Sequence, residues 1–132
     1  MEWKNEYSVG IHEIDEQHKA LTECISSIER AVARYDRRSA DAAVVRLADL
    51  TQIHFAVEES LMRIHDYPRL EEHADDHKQF FVQLSALQEP LLTTDVFRGR
   101  IELLHEWWDT HVPKHDKACA MHFLKYTALG KS

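Results

Sequence analysis

The chain is poor in the residues that break helices or staple small folds. Three glycines and three prolines in 132 residues leave little material for turns and favour long helices. The two cysteines, Cys24 and Cys119, lie far apart and form no CxxC pair, which argues against a disulfide framework or a zinc ribbon and leaves both as small apolar residues. No stretch approaches the ~18 apolar residues of a membrane span, and the N-terminal Met1-Glu2-Trp3-Lys4-Asn5-Glu6 lacks the basic start and apolar run of a signal peptide. A cytoplasmic protein is expected. Positive charge is also short: 16 Lys and Arg stand against 23 Asp and Glu, a net charge of −7. Nucleic acid and anionic membrane surfaces attract basic faces, so neither is expected as a partner. An acidic surface without an evident exposed apolar stripe leads to the expectation of a monomer.

What is present is ordinary globular mass, 44% hydrophobic and 30% charged, in a length suited to one domain over residues 1–132. The unusual abundance is histidine, with ten residues, more than a packed core requires. Helical periodicity divides the chain into four long segments. The first, roughly 13 to 36, aligns His18, Leu21, Ile25, Ile28 and Val32 on one face and ends near Asp36-Arg37-Arg38. Ser39 is the expected N-cap of the second, roughly 40 to 65, with a stripe of Leu47, Leu50, His54, Glu58, Leu61 and Met62 stopped by Tyr67-Pro68. The third starts at or just after Pro68 and runs to Pro90 through Leu70, His73, His77, Phe80, Leu84 and Leu87. The fourth, roughly 94 to 112, carries Phe97, Ile101, Leu104, Trp108 and His111, and a shorter helix follows from about 115 to 128. The expected fold is all-α: an antiparallel up-down-up-down four-helix bundle, with residues 1 to 12 as an arm anchored by Trp3 and Tyr7.

Each apolar stripe therefore contains histidine, and one contains Glu58 as well. A buried polar group must be paired, hydrogen-bonded or bound to metal, and one core histidine is unremarkable. Histidines on all four stripes point instead to a shared interior cation. His54 and Glu58 are four apart, as are His73 and His77, so each pair is offset by only ~40° and can approach one ion from one helix face. His111 and Asp116 are five apart, about 140° on an unbroken α-helix. Pro113 lies between them and is expected to kink or end the helix and re-aim Asp116. The candidate donors are thus His18, His54, His73, His77, His111, Glu58 and Asp116, more than one ion can use. Two ions with bridging carboxylates share them well, and imidazole suits iron, copper and zinc over magnesium or calcium. Donor chemistry leaves the metal open.

The stretches Tyr7-Ser8-Val9-Gly10-Ile11, Ile14-Asp15-Glu16-Gln17-His18-Lys19, His54-Phe55-Ala56-Val57-Glu58-Glu59, Tyr67-Pro68, His73-x3-His77 and Trp107-x3-His111-x4-Asp116 resemble, in order, the motifs of the hemerythrin family, in its single-domain bacterial form. The resemblance implies two iron ions, cycling between Fe2+ and Fe3+ and joined by an oxo or hydroxo bridge. It implies that His73, His77 and His111 hold one, His18 and His54 hold the other, and Glu58 and Asp116 bridge them. It further implies reversible dioxygen binding at the iron with two histidines, for storage, delivery or sensing, and no catalysis. The alternative is a diiron enzyme of peroxidase, ferroxidase or nitric oxide handling type on the same site. Ile25, Phe55, Phe80, Phe81 and Leu104 are candidate walls of the ligand pocket. Where the family commonly has Trp-Leu before the last histidine, this chain has Trp107-Trp108, and in relatives that leucine position borders the dioxygen pocket. Trp108 is therefore expected either to shield the ligand or simply to pack.

His12, His65, His105, His115 and His122 match no ligand position and are expected at the surface or boundary. Glu102-x-x-His105 and Asp15-x-x-His18 have the spacing of carboxylate-rich diiron sites without the further glutamates such sites need. Glu71-Glu72 and Asp75-Asp76 are expected on solvated helix faces.

Overall fold

The computed structural model describes the backbone of residues 1–130 and the side chains through Lys125. A short 3-10 turn, Asn5–Tyr7, precedes α1 (His12–Ala33), α2 (Arg37–Ile64), α3 (Leu70–Leu87) and α4 (Thr94–His111); a π turn, Val112–Asp116, then leads into α5 (Lys117–Gly130). No strand occurs among the described residues. Each of the first three helices packs on the next, α4 closes back on α1, and α5 leans on α2. Connections as short as 34–36, 65–69 and 88–93 leave consecutive helices antiparallel, so the expected up-down-up-down bundle forms.

The helix ends differ from expectation for local reasons. Tyr35 adopts the left-handed conformation, φ 57°. Around it the Asp36 N–H donates to Ala31 O (2.9 Å) and the Tyr35 N–H to Val32 O (3.0 Å), the paired bonds that close a helix C-terminus. The first helix therefore stops before Asp36, and Asp36 is free to cap the second. Its Oδ1 accepts from the Ser39 N–H at 3.1 Å and its Oδ2 from the Ser39 hydroxyl at 2.6 Å. Ser39, expected as the cap, lies inside the first turn instead. The same closure recurs at the end of α2, where Asp66 has φ 49° and the Tyr67 N–H reaches Met62 O at 2.9 Å. With only three glycines in the chain, other residues take the left-handed positions that glycine would occupy without strain.

Pro113 neither breaks nor ends the helix. It sits in the first turn of the π segment, and the Lys117 N–H donates to Val112 O, five residues back. One turn is widened and the chain remains helical from α4 into α5.

Ile25, Ile28, Leu47, Phe80, Leu104 and Trp108 lie wholly inside the bundle. The N-terminal arm is held as expected: Trp3 packs edge-on to Tyr7 with ring centroids 5.5 Å apart, and the Tyr7 hydroxyl donates to Asp109. Asp15 accepts from the Ser8 hydroxyl (2.6 Å) and the Val9 N–H (2.8 Å), so its carboxylate ties down the arm. One surface expectation fails. The outer face of α2 exposes Ile53, Val57 and Ile64, spaced along one side of the helix. No described helix is long and apolar enough to cross a membrane.

Candidate metal centre

α1 contributes His18, α2 His54 and Glu58, α3 His73 and His77, α4 His111, and the π turn Asp116. All seven side chains are at most 4% exposed, and the structure brings them into one interior cluster. On α2 and α3 this follows from the four-residue spacing. On the last element it follows from the π turn, because an i to i+5 repeat carries residues five apart towards the same face. His111 Nε2 and Asp116 Oδ1 are accordingly 2.9 Å apart.

The two carboxylates lie between two groups of imidazoles, and each divides its oxygens between them. Glu58 Oε2 lies 2.7 Å from His54 Nε2 and 3.8 Å from His18 Nε2. Its other oxygen, Oε1, lies 2.8 Å from His73 Nε2 and 3.6 Å from His77 Nε2. Asp116 Oδ1 faces His73 and His111, both at 2.9 Å, while Oδ2 faces His18 at 3.3 Å. The Nε2 atoms of His18 and His54 stand 3.0 Å apart. Two overlapping donor groups result: Glu58, His73, His77, His111 and Asp116 in one, and His18, His54 and Glu58 in the other.

Both Glu58 oxygens, both Asp116 oxygens and the Nε2 atoms of His73, His77 and His111 are buried without a hydrogen bond of acceptable geometry. Buried polar atoms are rarely left so. Neighbouring donors about 3 Å apart are what an ion with bonds of about 2.1 Å gathers around itself. The side chains thus fit a pair of nitrogen- and carboxylate-loving metal ions, and hydrogen bonding does not otherwise account for those seven inward-facing atoms.

The electrostatics agree. Burial pushes the Glu58 carboxyl up, but the surrounding imidazoles of His18, His54, His73 and His77 outweigh it and hold the group well below the ordinary carboxylate range. Burial and the charge of Glu58 raise Asp116, and the His111 and His18 side chains reverse this and bring it down. Burial favours neutral His18 and His73, yet Asp116 and Glu58 raise them to about 9 and about 10. The carboxylates demand positive charge at this point, and protons or metal ions can supply it.

Around this cluster stand partners absent from the expected set. The Nδ1–H of His54 donates to Gln17 Oε1 at 2.5 Å, that of His77 to Glu59 Oε2 at 3.0 Å, and that of His111 to Asp76 Oδ2. Asp76 is half-buried, so its expected place on a solvated face is corrected, whereas Glu71, Glu72 and Asp75 are exposed. His115 lies half-buried over His111, with ring centroids 5.3 Å apart. No sequence spacing marks these partners, because Gln17 and Asp76 each serve a histidine on a different helix.

The expected pocket walls fall into three sets. Trp108 is fully buried and meets His18 edge-on, with ring centroids 5.5 Å apart and planes at 82°. Phe55 stacks on His77 at 3.8 Å and packs against Phe80 and Phe81. It thus braces the three-histidine side. Ile25 and Leu104 are buried in the apolar core. Trp107 stacks on His111 at 4.2 Å, as their four-residue spacing on α4 allows. A mostly apolar hollow of about 160 Å³ lined by Gln17, Ala20, Leu21, Leu50, Ile53 and His54 opens between α1 and α2 beside His54. Of the histidines expected outside the site, His12 is exposed, His105 pairs with Glu29 and Asp109 at 3.4 Å each, and His122 Nε2–H donates to His65 O at 2.7 Å. Cys24 and Cys119 are free and buried.

A family model described as the hemerythrin HHE cation binding domain matches residues 9–120. A bacteriohemerythrin of Stenotrophomonas maltophilia is 25% identical over 119 residues, covering 89% of this chain and 78% of that protein. A myohemerythrin of Riftia pachyptila is 30% identical over 89 residues, 67% of this chain and 69% of its own. A hemerythrin-like protein of Naegleria gruberi is 26% identical over 114 residues and 86% of each chain.

Proposed function

The chain belongs to the hemerythrin family, whose members are non-haem diiron, oxygen-binding proteins, and from that membership we propose that it holds two iron ions and binds dioxygen reversibly. The observation that carries this reading is the division of each buried carboxylate between two imidazole groups. His73, His77 and His111 would hold one ion, His18 and His54 the other, with Glu58 and Asp116 shared. Three nitrogens would serve one ion and two the other, which would leave the second with room for an exogenous ligand. Iron held there would supply the redox chemistry that reversible dioxygen binding needs.

The rest of the work belongs to the chain. Phe55 and Trp107, stacked on His77 and His111, fix those imidazoles on the three-histidine side. Trp108 covers His18 and keeps water from the side where the exogenous ligand would sit, since water promotes irreversible oxidation. The mostly apolar lining of the hollow beside His54 would favour a small apolar molecule over ions. The carriers in this family bind oxygen and do not consume it, and we read this chain in the same way.

Elemental analysis of protein from iron-replete cells should give two iron atoms per chain, and His77→Ala should lower that content. The reduced protein should change its visible spectrum in air and regain it under vacuum. One zinc and no iron, or a spectrum unchanged by air, would overturn the proposal; steady consumption of dioxygen or peroxide by the reduced protein would replace it with the enzymatic alternative.

A further inference from the structure

The outward nitrogens of the five histidines are not treated alike. His77 and His111 give theirs to carboxylates, Glu59 and Asp76, and both acceptors are half-buried. His54 gives its own to a neutral amide, Gln17. His18 and His73 have no partner at Nδ1, one on each side of the centre, so they do not distinguish the two sides. All three acceptors fix the tautomer that turns the Nε2 lone pair inward. Only the carboxylates also add negative charge to the ring and make Nε2 a stronger donor. Two such charges stand behind the His73, His77 and His111 group and none behind His18 and His54. The contrast crosses helices: Asp76 on α3 serves His111 on α4, and Gln17 on α1 serves His54 on α2.

We propose that Glu59, Asp76 and Gln17 are positioning residues that grade the two metal positions, making the three-histidine position the firmer and the two-histidine position the exchangeable one. This rests on the diiron reading above and adds an order to it. The ion at the position open to a ligand leaves first and is restored last, and the three-histidine ion persists as the template that keeps Glu58 and Asp116 in place. The charge of the outer acceptor sets the difference, beyond the count of imidazoles, and the nearly isosteric change of Gln17 to Glu adds such a charge behind His54 without touching a candidate ligand.

The test is iron loss from the anaerobically reduced, iron-loaded protein into excess ferrous chelator. The expected result is two phases, each releasing half the iron. Gln17→Glu, a change at an exposed side chain, should slow the fast phase and leave the slow one alone. Glu59→Gln and Asp76→Asn should each quicken the slow phase. Outer partners of this kind change metal affinity by roughly 10- to 100-fold, and shifts of about tenfold or more are expected in each rate. A merely structural role for Gln17 would move neither phase selectively. Protein that carries two irons and loses both in one phase, or whose fast phase ignores Gln17→Glu, overturns the grading and leaves the diiron reading standing. Protein that carries no iron overturns both.

Discussion

Replacing Trp108 by Leu separates a guard from a packing residue. The indole is fully buried and stands edge-on to His18, and its Nε1–H has no hydrogen-bond partner. Leucine removes roughly 60 Å³ of side chain, which at about 24 cal/mol per Å³ of residual cavity gives a cavity cost of about 1.5 kcal/mol if nothing relaxes, and the lost transfer free energy of the removed carbons adds about 1 kcal/mol. Removing the unpartnered N–H recovers part of this, since a buried donor left unsatisfied costs about 1–3 kcal/mol. A net loss of about 1.5 kcal/mol or less is expected, a few degrees in Tm for a chain of this size. The functional effect should be larger. A water occupies about 30 Å³, so the new space takes one or two, and the imidazoles and carboxylates beside it can hydrogen-bond them. The dry wall becomes wet. Stopped-flow mixing of the reduced protein with dioxygen should show faster binding, azide should enter the oxidised protein faster, and the oxygenated form should decay roughly tenfold sooner, equivalent to about 1.4 kcal/mol of barrier. Iron content should stay at the parent value. Unchanged binding and decay with full iron would refute the guard reasoning and leave Trp108 as packing alone.

Two further expectations concern the frame that holds the site. Hydrogen bonds from the Ser39 hydroxyl and N–H hold the Asp36 carboxyl below its ordinary range; the stabilisation is therefore complete above the ordinary carboxylate pKa and is lost as pH falls through the lowered one. Asp36→Asn keeps a capping oxygen but cannot titrate, so urea midpoints of parent and variant should converge between about pH 7 and about pH 3, and a constant gap would contradict the assignment. Tyr35 holds φ 57° at 77% exposure, a conformation costing about 1–2 kcal/mol in a non-glycine residue, against a glycine entropy penalty of about 0.5–1 kcal/mol. Tyr35→Gly should raise the urea midpoint by the equivalent of about 0.5–1 kcal/mol with an unchanged slope; a lower midpoint would show that the turn carries no strain.

Local spacing makes much of this protein legible in the sequence. Apolar residues every three or four positions give the helices and their order, and His54 with Glu58 or His73 with His77 share a face because the geometry of one helix alone decides it. The boundaries are less legible, since Ser39 and Asp36 are equally good caps on composition and only the left-handed turn at Tyr35 frees Asp36 for the role. Pro113 marks that the chain departs from regular helix before Asp116, but not that the departure is a widened turn, because the remaining backbone bonds and packing against the Asn5–Tyr7 turn decide how proline is accommodated.

The sequence by itself determines which donors exist, which pairs share a helix face, and that a buried charge cluster must find a cation. Only the tertiary structure decides which oxygen of Glu58 or Asp116 faces which imidazole, and which outer residue, Gln17, Glu59 or Asp76, stands behind each ring. The reason is one of range. Contacts along a helix repeat every turn and are written in spacing, whereas contacts between helices depend on how far each is rotated and slid against its neighbours, which is set by the packing of the whole apolar core around them.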